Sequence, residues 1–183
     1  MSDPVSALGH AAFDGFATVR EIGPLGMISL RAKADVPGLA AAVRGVTGTD
    51  LPLQRRIALN GDKAAGWMSP DEVLLILPYA QVARGLAGLA AGLQGQHHLA
   101  VDLSDARAVF RIEGAKADQT LRKLAPVDFD RLDPDELRRT RLAQVAAAFW
   151  RDDQGFTVVC FRSVAAYVMG LLSQAAAPGH ELT

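Results

Sequence analysis

Apolar and polar residues alternate twice between positions 97 and 113. Leu99, Val101 and Leu103 alternate with small or polar residues, and after Ser104-Asp105-Ala106 a second run follows in Ala108, Phe110 and Ile112. Period-two alternation puts successive side chains on opposite faces of a pleat, so each run predicts a half-buried strand. Two runs around Ser-Asp predict an antiparallel hairpin or a tight strand-turn-strand. Beyond Gly114 the spacing becomes helical at Ala117, Leu121 and Leu124, and Pro126 ends that helix.

The same patterns run along the rest of the chain. FATVREI (16–22) and MISLR (27–31) predict two strands around the Gly23-Pro24-Leu25-Gly26 turn. Asp35 and Pro37 open a helix whose inner face is Leu39, Ala42, Val43 and Val46, ending near Gly48. Residues 57–60 are a short strand, Trp67 and Met68 end another, and residues 73–77 are apolar on both faces, which predicts a central strand. Trp67 and residues 73–77 are expected in the core. Val82, Leu86, Leu89 and Leu93 mark an amphipathic helix over 79–93. Gly85, Gly88 and Gly92 lie on its other face, each costing about 1 kcal/mol against Ala, and would accept another backbone closely. Residues 139–152 alternate throughout and predict one long strand, with Leu142, Gln144, Ala146, Ala148 and Trp150 on one face and Ala143, Val145, Ala147 and Phe149 on the other. A turn at 152–155 leads to a strand over 156–162. Ser163 caps a last helix with Val164, Val168, Leu171 and Leu172 inward.

Strand pairs alternating with single helices predict an α+β fold: antiparallel sheets with helices packed on one side, a count that two ferredoxin-like units satisfy. The expected organisation is a mobile N-terminal arm over 1–15, a single domain over 16–177 of two lobes (about 16–95 and 96–177), and a frayed tail over 178–183. Phe13 and Phe16 sit on a Gly-broken segment too short to bury them locally, which makes the arm a candidate docking element.

Bulk properties narrow the function classes. The chain has 183 residues, half of them hydrophobic, and a formal net charge of −1. Interspersed charges of both signs argue against nucleic-acid binding and against a polybasic membrane anchor. Apolar tracts are broken well short of the ~20 residues a membrane span needs, and residues 1–10 have no signal-peptide pattern. The single cysteine, Cys160, excludes an internal disulfide and a cysteine cluster. A cytoplasmic α+β protein is the expectation.

Catalytic signatures are missing. There is no GxGxxG, GxxxxGK[ST] or GxSxG. Neighbouring His97 and His98 would leave a strand on opposite faces and cannot chelate one ion from one face. Cys160, mid-strand between Val159 and Phe161, reads as a buried inert thiol. Asp102 and Asp105 flank a turn. Asp102 is a conceivable general base, but a turn-capping carboxylate is the simpler reading. Arg55 and Arg56 are either a solvated pair or a place to meet an anion. No catalytic, cofactor-binding or metal residue is assigned.

Three segments nevertheless carry a resemblance: GWMSPDEVLLILP (66–78), VDLSDARAVFRIEGAKADQTLRKLAPVDF (101–129) and RRTRLAQVAAAFWRDDQGFTVVCFRSVAAYVMGLL (138–172). Their markers are Trp67 with Pro70-Asp71-Glu72, Asp102 with Ser104, Arg139-Thr140, and Arg162-Ser163. Together they resemble the gamma subunit of heterotetrameric sarcosine oxidase, which is similar in turn to the folate-binding aminomethyltransferase (glycine-cleavage T-protein) superfamily. The resemblance implies a T-protein-like fold and a place in a complex that demethylates sarcosine oxidatively to glycine. Hydrogen peroxide is a product, and 5,10-methylenetetrahydrofolate forms when folate is present. It implies no cofactor in this chain: FAD, FMN, NAD, tetrahydrofolate and zinc belong to the partner alpha, beta and delta subunits. The chain departs from the aminomethyltransferases in having no acidic folate-gripping motif and about half their length. The other reading is a free-standing folate-binding or one-carbon transfer protein with a pocket between its lobes.

Overall fold

A computed structural model describes residues 4–182. In chain order its elements are β1 (Ala12–Asp14), β2 (Thr18–Glu21), β3 (Gly26–Arg31), α1 (Leu39–Thr47), β4 (Ile57–Asn60), β5 (Lys63–Ser69), β6 (Glu72–Leu77), α2 (Val82–Gly92), β7 (Leu99–Asp102), β8 (Arg107–Glu113), α3 (Ala117–Arg122), β9 (Arg138–Leu142), β10 (Val145–Asp152), β11 (Gly155–Phe161) and α4 (Ala165–Ala175). Single 3-10 turns precede α2 and α4, and another joins β7 to β8.

The strands form two antiparallel sheets, β1-β2-β8-β11-β10-β9 and β4-β5-β6-β3-β7. The chain divides accordingly: one unit is Leu25–Ser104, the other takes the chain up to Pro24 and from Asp105 onward. Within the continuous unit, β3, β5, β6 and β7 are the first to fourth strands of a ferredoxin-like unit in the spatial order 4-1-3-2, and β4 is added outside β5. The split unit repeats this plan. Its first three strands are β8, β10 and β11, and β9 is added outside β10. Its fourth strand is β2, from the other end of the chain. Where an unbroken unit would run from its second helix into that strand, the Phe16 amide donates to the Ala176 carbonyl at 2.9 Å. A Cβ on Gly15 would lie 1.9 Å from the same oxygen, so this close approach requires glycine.

Each unit buries its own core. In the continuous unit, Ile28, Leu30, Leu75 and Leu77 of the central strands meet Val43 and Val46 of α1 and Val82, Leu89 and Leu93 in and just beyond α2. The core of the split unit is aromatic: Phe149 stacks on Phe129 at 5.5 Å between centroids, and Phe156 meets both edge-on. Such pairs add about 0.5–1.5 kcal/mol beyond area burial.

Several expectations are corrected. The flanks of the 23–26 turn do not pair with each other: β2 joins the six-stranded sheet and β3 the five-stranded one. Residues 97–113 likewise form no hairpin, because β7 lies at the edge of one sheet and β8 inside the other. The alternation in β7 is real, but its apolar residues Leu99 and Val101 are exposed. The lobe boundary near residue 95 therefore falls instead at 24/25 and 104/105.

Residues 138–152 are two strands, not one. A two-residue turn at Ala143-Gln144, with Ala143 at φ 48°, folds β10 back on β9, and Leu142 pairs with Val145. That turn inverts the face assignment, so Leu142 lies with Val145, Ala147 and Phe149 in the core. Trp67 is half-buried rather than core, while Leu75 is fully buried as expected. Gly85 faces inward: a Cβ there would meet Ile28, Leu77 and Val46 side chains at 3.0–3.3 Å. The glycine face of α2 is occupied by α1, with a Cβ on Gly92 lying 3.3 Å from that of Ala42.

Residues 1–15, expected as an arm, include β1, which pairs Phe13 with Val19. Phe13 is half-buried against the aromatic core, which removes the ground for reading it as a docking side chain. Residues 1–3 and 183 lie outside the described residues. In the tail, the Leu182 amide donates to Gln119 Oε1 at 2.9 Å.

Candidate functional site

Among the described residues, no group of three or more His, Cys, Asp or Glu is arranged to hold a metal ion. The residues weighed from sequence fall apart in space and chemistry. Asp102 closes the turn after β7: its Oδ1 accepts from the Ser104 amide at 2.9 Å and from the Ser104 hydroxyl at 2.5 Å. Ser104, itself buried, accepts from the Met27 amide at 3.0 Å, which ties the end of β7 to the start of β3. This is the turn-capping role, explained by the tendency of Asp to fold onto amides two residues on. Cys160 is buried in β11, and burial pushes its thiol up to about 11, partly countered by the Arg107 charge. A thiol so protonated is a poor nucleophile at neutral pH. Arg55 occupies a left-handed turn at φ 59°. The Arg56 backbone bridges Leu53 and Trp67.

His97 and His98 do enter a common site with residues that the sequence pattern did not single out. Antiparallel pairing sets Arg31, the last residue of β3, opposite Leu99, the first of β7. Arg31, Lys33, Asp71, His97, His98 and Leu99 line a cleft of about 400 Å³. The Ala32 amide donates to the Asp71 carbonyl at 3.0 Å, and Arg31 reaches the Asp71 carboxylate at 3.4 Å. The Ser69 hydroxyl donates to the other Asp71 oxygen at 2.7 Å. That hydrogen bond, with the Arg31 charge, holds the Asp71 carboxyl below its usual range against the opposing effect of desolvation. Two permanent cations and two imidazoles against one carboxylate make the cleft cationic, so it suits an anionic group. The signal missed in the sequence was the Arg31-to-Leu99 register, which joins positions far apart in the chain.

A second polar cluster lies on the six-stranded sheet. Arg111, in β8, is buried. It donates to Thr157 Oγ1 at 3.0 Å, to Glu113 at 3.3 Å and to Asp152. Arg20 adds a further pair to Glu113 at 3.0 Å. Burial alone would raise the Asp152 carboxyl, but the Arg111 hydrogen bond and charge, with the Gln154 and Gly155 amides, hold it below the usual range. Every charge named here has its counter-charge within the cluster. It fastens β2, β8, β10 and β11 together, and its chemistry is structural.

The N-terminal segment is fastened in the same unit. The buried Glu21 carboxylate accepts from the amides of Ala7, Leu8 and His10 at 2.7–3.1 Å. Arg162 donates to the Val5 and Ser6 carbonyls at 2.7 and 3.0 Å. Buried carboxylates satisfied by several amides hold backbone firmly. Among the described residues, no helix is long and apolar enough to cross a membrane.

Comparison with known proteins places this geometry. Residues 31–178 match the model of the sarcosine oxidase, gamma subunit family. The sarcosine oxidase subunit gamma of Corynebacterium sp. (strain U-96) is 35% identical over 145 residues, covering 73% of this chain and 66% of that protein, just under two thirds of its length. Among solved structures, heterotetrameric sarcosine oxidase from Corynebacterium sp. U-96, in complex with pyrrole 2-carboxylate, aligns with a TM-score of 0.80 at 27% identity, covering 90% of this chain and 87% of that one. Aminomethyltransferase T of the glycine cleavage system from Bartonella henselae shares the fold, with a TM-score of 0.62 at 13% identity over 83% of this chain and 44% of that one. The antiparallel α+β architecture expected from sequence, with its T-protein likeness, is the observed one. On the family match over residues 31–178, the chain belongs to the sarcosine oxidase, gamma subunit family.

Proposed function

We propose that this chain is the non-catalytic gamma subunit of a heterotetrameric sarcosine oxidase and assembles with alpha, beta and delta subunits. The observation that carries this reading is the likeness, over nearly the whole chain, to a heterotetrameric sarcosine oxidase structure. The complex would demethylate sarcosine oxidatively to glycine with hydrogen peroxide as a product, and pass the one-carbon unit to tetrahydrofolate when that is present. On this reading the flavins FAD and FMN, NAD, tetrahydrofolate and zinc reside in the partner subunits, the complex is cytoplasmic, and this chain supplies no catalytic, cofactor or metal residue. The internal pairing of the Arg111 cluster and the protonated, buried Cys160 support that division of labour.

The test is spectroscopic. Purified alone, the chain is expected to be colourless, to turn over no sarcosine and to bind no tetrahydrofolate. Flavin absorbance in stoichiometric amount would contradict the subunit reading. Tight binding of tetrahydrofolate by the isolated chain would favour a free-standing one-carbon protein instead.

A further inference from the structure

The repeated plan exposes a difference at one place. The fourth strand of the split unit, β2, carries a further strand on its outer edge, β1, in the register Ala12–Arg20, Phe13–Val19, Asp14–Thr18. Its counterpart in the continuous unit, β7, pairs with β3 on one side and is the last strand of its sheet among the described residues. An open edge is a row of unpaired amides and carbonyls, and natural proteins shield such edges with lysine, proline or a bulge. The four residues of β7, Leu99 to Asp102, include no lysine and no proline. They present Leu99 and Val101 on one face, 55% and 39% exposed. At the Leu99 end lies the cationic cleft of Arg31, Lys33, His97 and His98.

We propose that the open edge of β7 is the site where an extended, acidic segment of a partner subunit adds as a strand, as β1 adds to β2. This rests on the subunit reading above and names the part of the chain that serves it. Strand addition supplies main-chain hydrogen bonds, and alternate side chains supply specificity. Two features fix the occupant's chemistry. Its apolar residues at alternate positions would cover Leu99 and Val101. A carboxylate beyond them would enter the cleft, where Arg31, Lys33 and the two imidazoles outnumber Asp71. A second copy of this chain fits less well: the acidic residue it would bring from its own β7 is Asp102, whose Oδ1 is already engaged by Ser104.

The experiment uses the complex. The chain is co-expressed with its flavin-bearing partner subunits as wild type, as the Leu99→Lys/Val101→Lys double variant, as Arg31→Glu/Lys33→Glu, and as Leu59→Lys. Leu59 is a half-exposed apolar residue on β4, the opposite edge of the same sheet. The lysine double variant is expected to co-purify about tenfold less well or worse, the charge-reversed variant to lose assembly as well, and Leu59→Lys to assemble normally. The melting temperature of each isolated variant is expected to stay within about two degrees of wild type, since all these positions are exposed. Hydrogen exchange is expected to show the amides of Ala100 and Asp102, the alternate ones that face away from β3, protected in the complex and not in the free chain. Normal assembly of the lysine double variant, with the Ala100 and Asp102 amides exchanging equally in both states, would overturn the proposal. So would charge reversal without effect, which removes the acidic partner, or concentration-dependent protection in the chain alone, which makes a second copy the occupant. A wild-type chain that does not co-purify at all contradicts the subunit reading itself, and this inference with it.

Discussion

The two units share one plan and achieve it differently. In Leu25–Ser104 the strands follow the chain without a break, the core is aliphatic, and two helices meet through glycines. In the other unit the fourth strand comes from the N-terminal end of the chain, the core is rich in phenylalanine, and polar clamps at Glu21, Arg20 and Arg162 hold the borrowed segment. A break in connectivity removes a covalent link between the second helix and the fourth strand; the Phe16–Ala176 hydrogen bond stands where that link would be, and the clamps fasten the segment elsewhere. The continuous unit has no such need at β7, and there its edge is left open.

Truncating the aromatic core is expected to have the largest effect. Phe149→Ala removes a fully buried ring that touches Phe129 and Phe156 and is expected to cost about 3–5 kcal/mol in denaturant unfolding. Leu75→Ala, in the aliphatic core, is expected to cost about 2–5 kcal/mol. Equal and small losses would erase the distinction between the cores.

The junction of the split unit is tested next. Gly15→Ala forces a methyl group against the Ala176 carbonyl and is expected to destabilise by about 1–3 kcal/mol. Truncating the chain to begin at Phe16 is likewise expected to lower the melting temperature, because it removes β1 and the amides that Glu21 holds. An unchanged melting curve in either variant would mean that the borrowed segment is not part of the fold.

Gly88→Ala sharpens the comparison from the other side. A Cβ there lies 3.8 Å from Val46, an ordinary contact, so the gain in helix propensity should show as up to about 1 kcal/mol of added stability. A loss would mean that the contact between α1 and α2 is tighter than this geometry.

The smallest effect is in acid. Asp152 is held below its ordinary range by Arg111, so the stability it contributes is present above the unfolded carboxylate value of about 4 and is lost as pH falls through its lower folded value. Asp152→Asn is expected to flatten the acid limb of stability against pH in that window. An unaltered limb would show that the pair contributes nothing to it.

Much of this was legible in the sequence, for reasons visible in particular residues. The inner face and the end of α1 read correctly because Leu39, Ala42, Val43 and Val46 keep helical spacing up to a left-handed Gly48, whereas its start lies at Gly38 and not at Asp35. Strand β6 reads as central because both its faces are apolar. The Ala143-Gln144 turn is invisible because neither residue is a turn former and the alternation continues on both sides. Sheet membership of β2 and β7 is also invisible, because alternation gives a strand's faces and not its partner. Two ferredoxin-like units were legible in the count of strands and helices, but the permutation of one of them was not, because it lies in strand order. As to the site, the absence of catalytic motifs was legible, but the cleft was not, since Arg31 and His97 are joined by register alone.

The most direct test of the subunit reading is the composition of the complex isolated by co-expression with the proposed partner subunits, measured by native mass spectrometry with a visible spectrum of the same peak. The expected result is one copy of this chain in each flavin-containing heterotetramer, and none of the flavin on the chain itself. A flavoprotein peak lacking the chain, with the chain eluting separately, would contradict it.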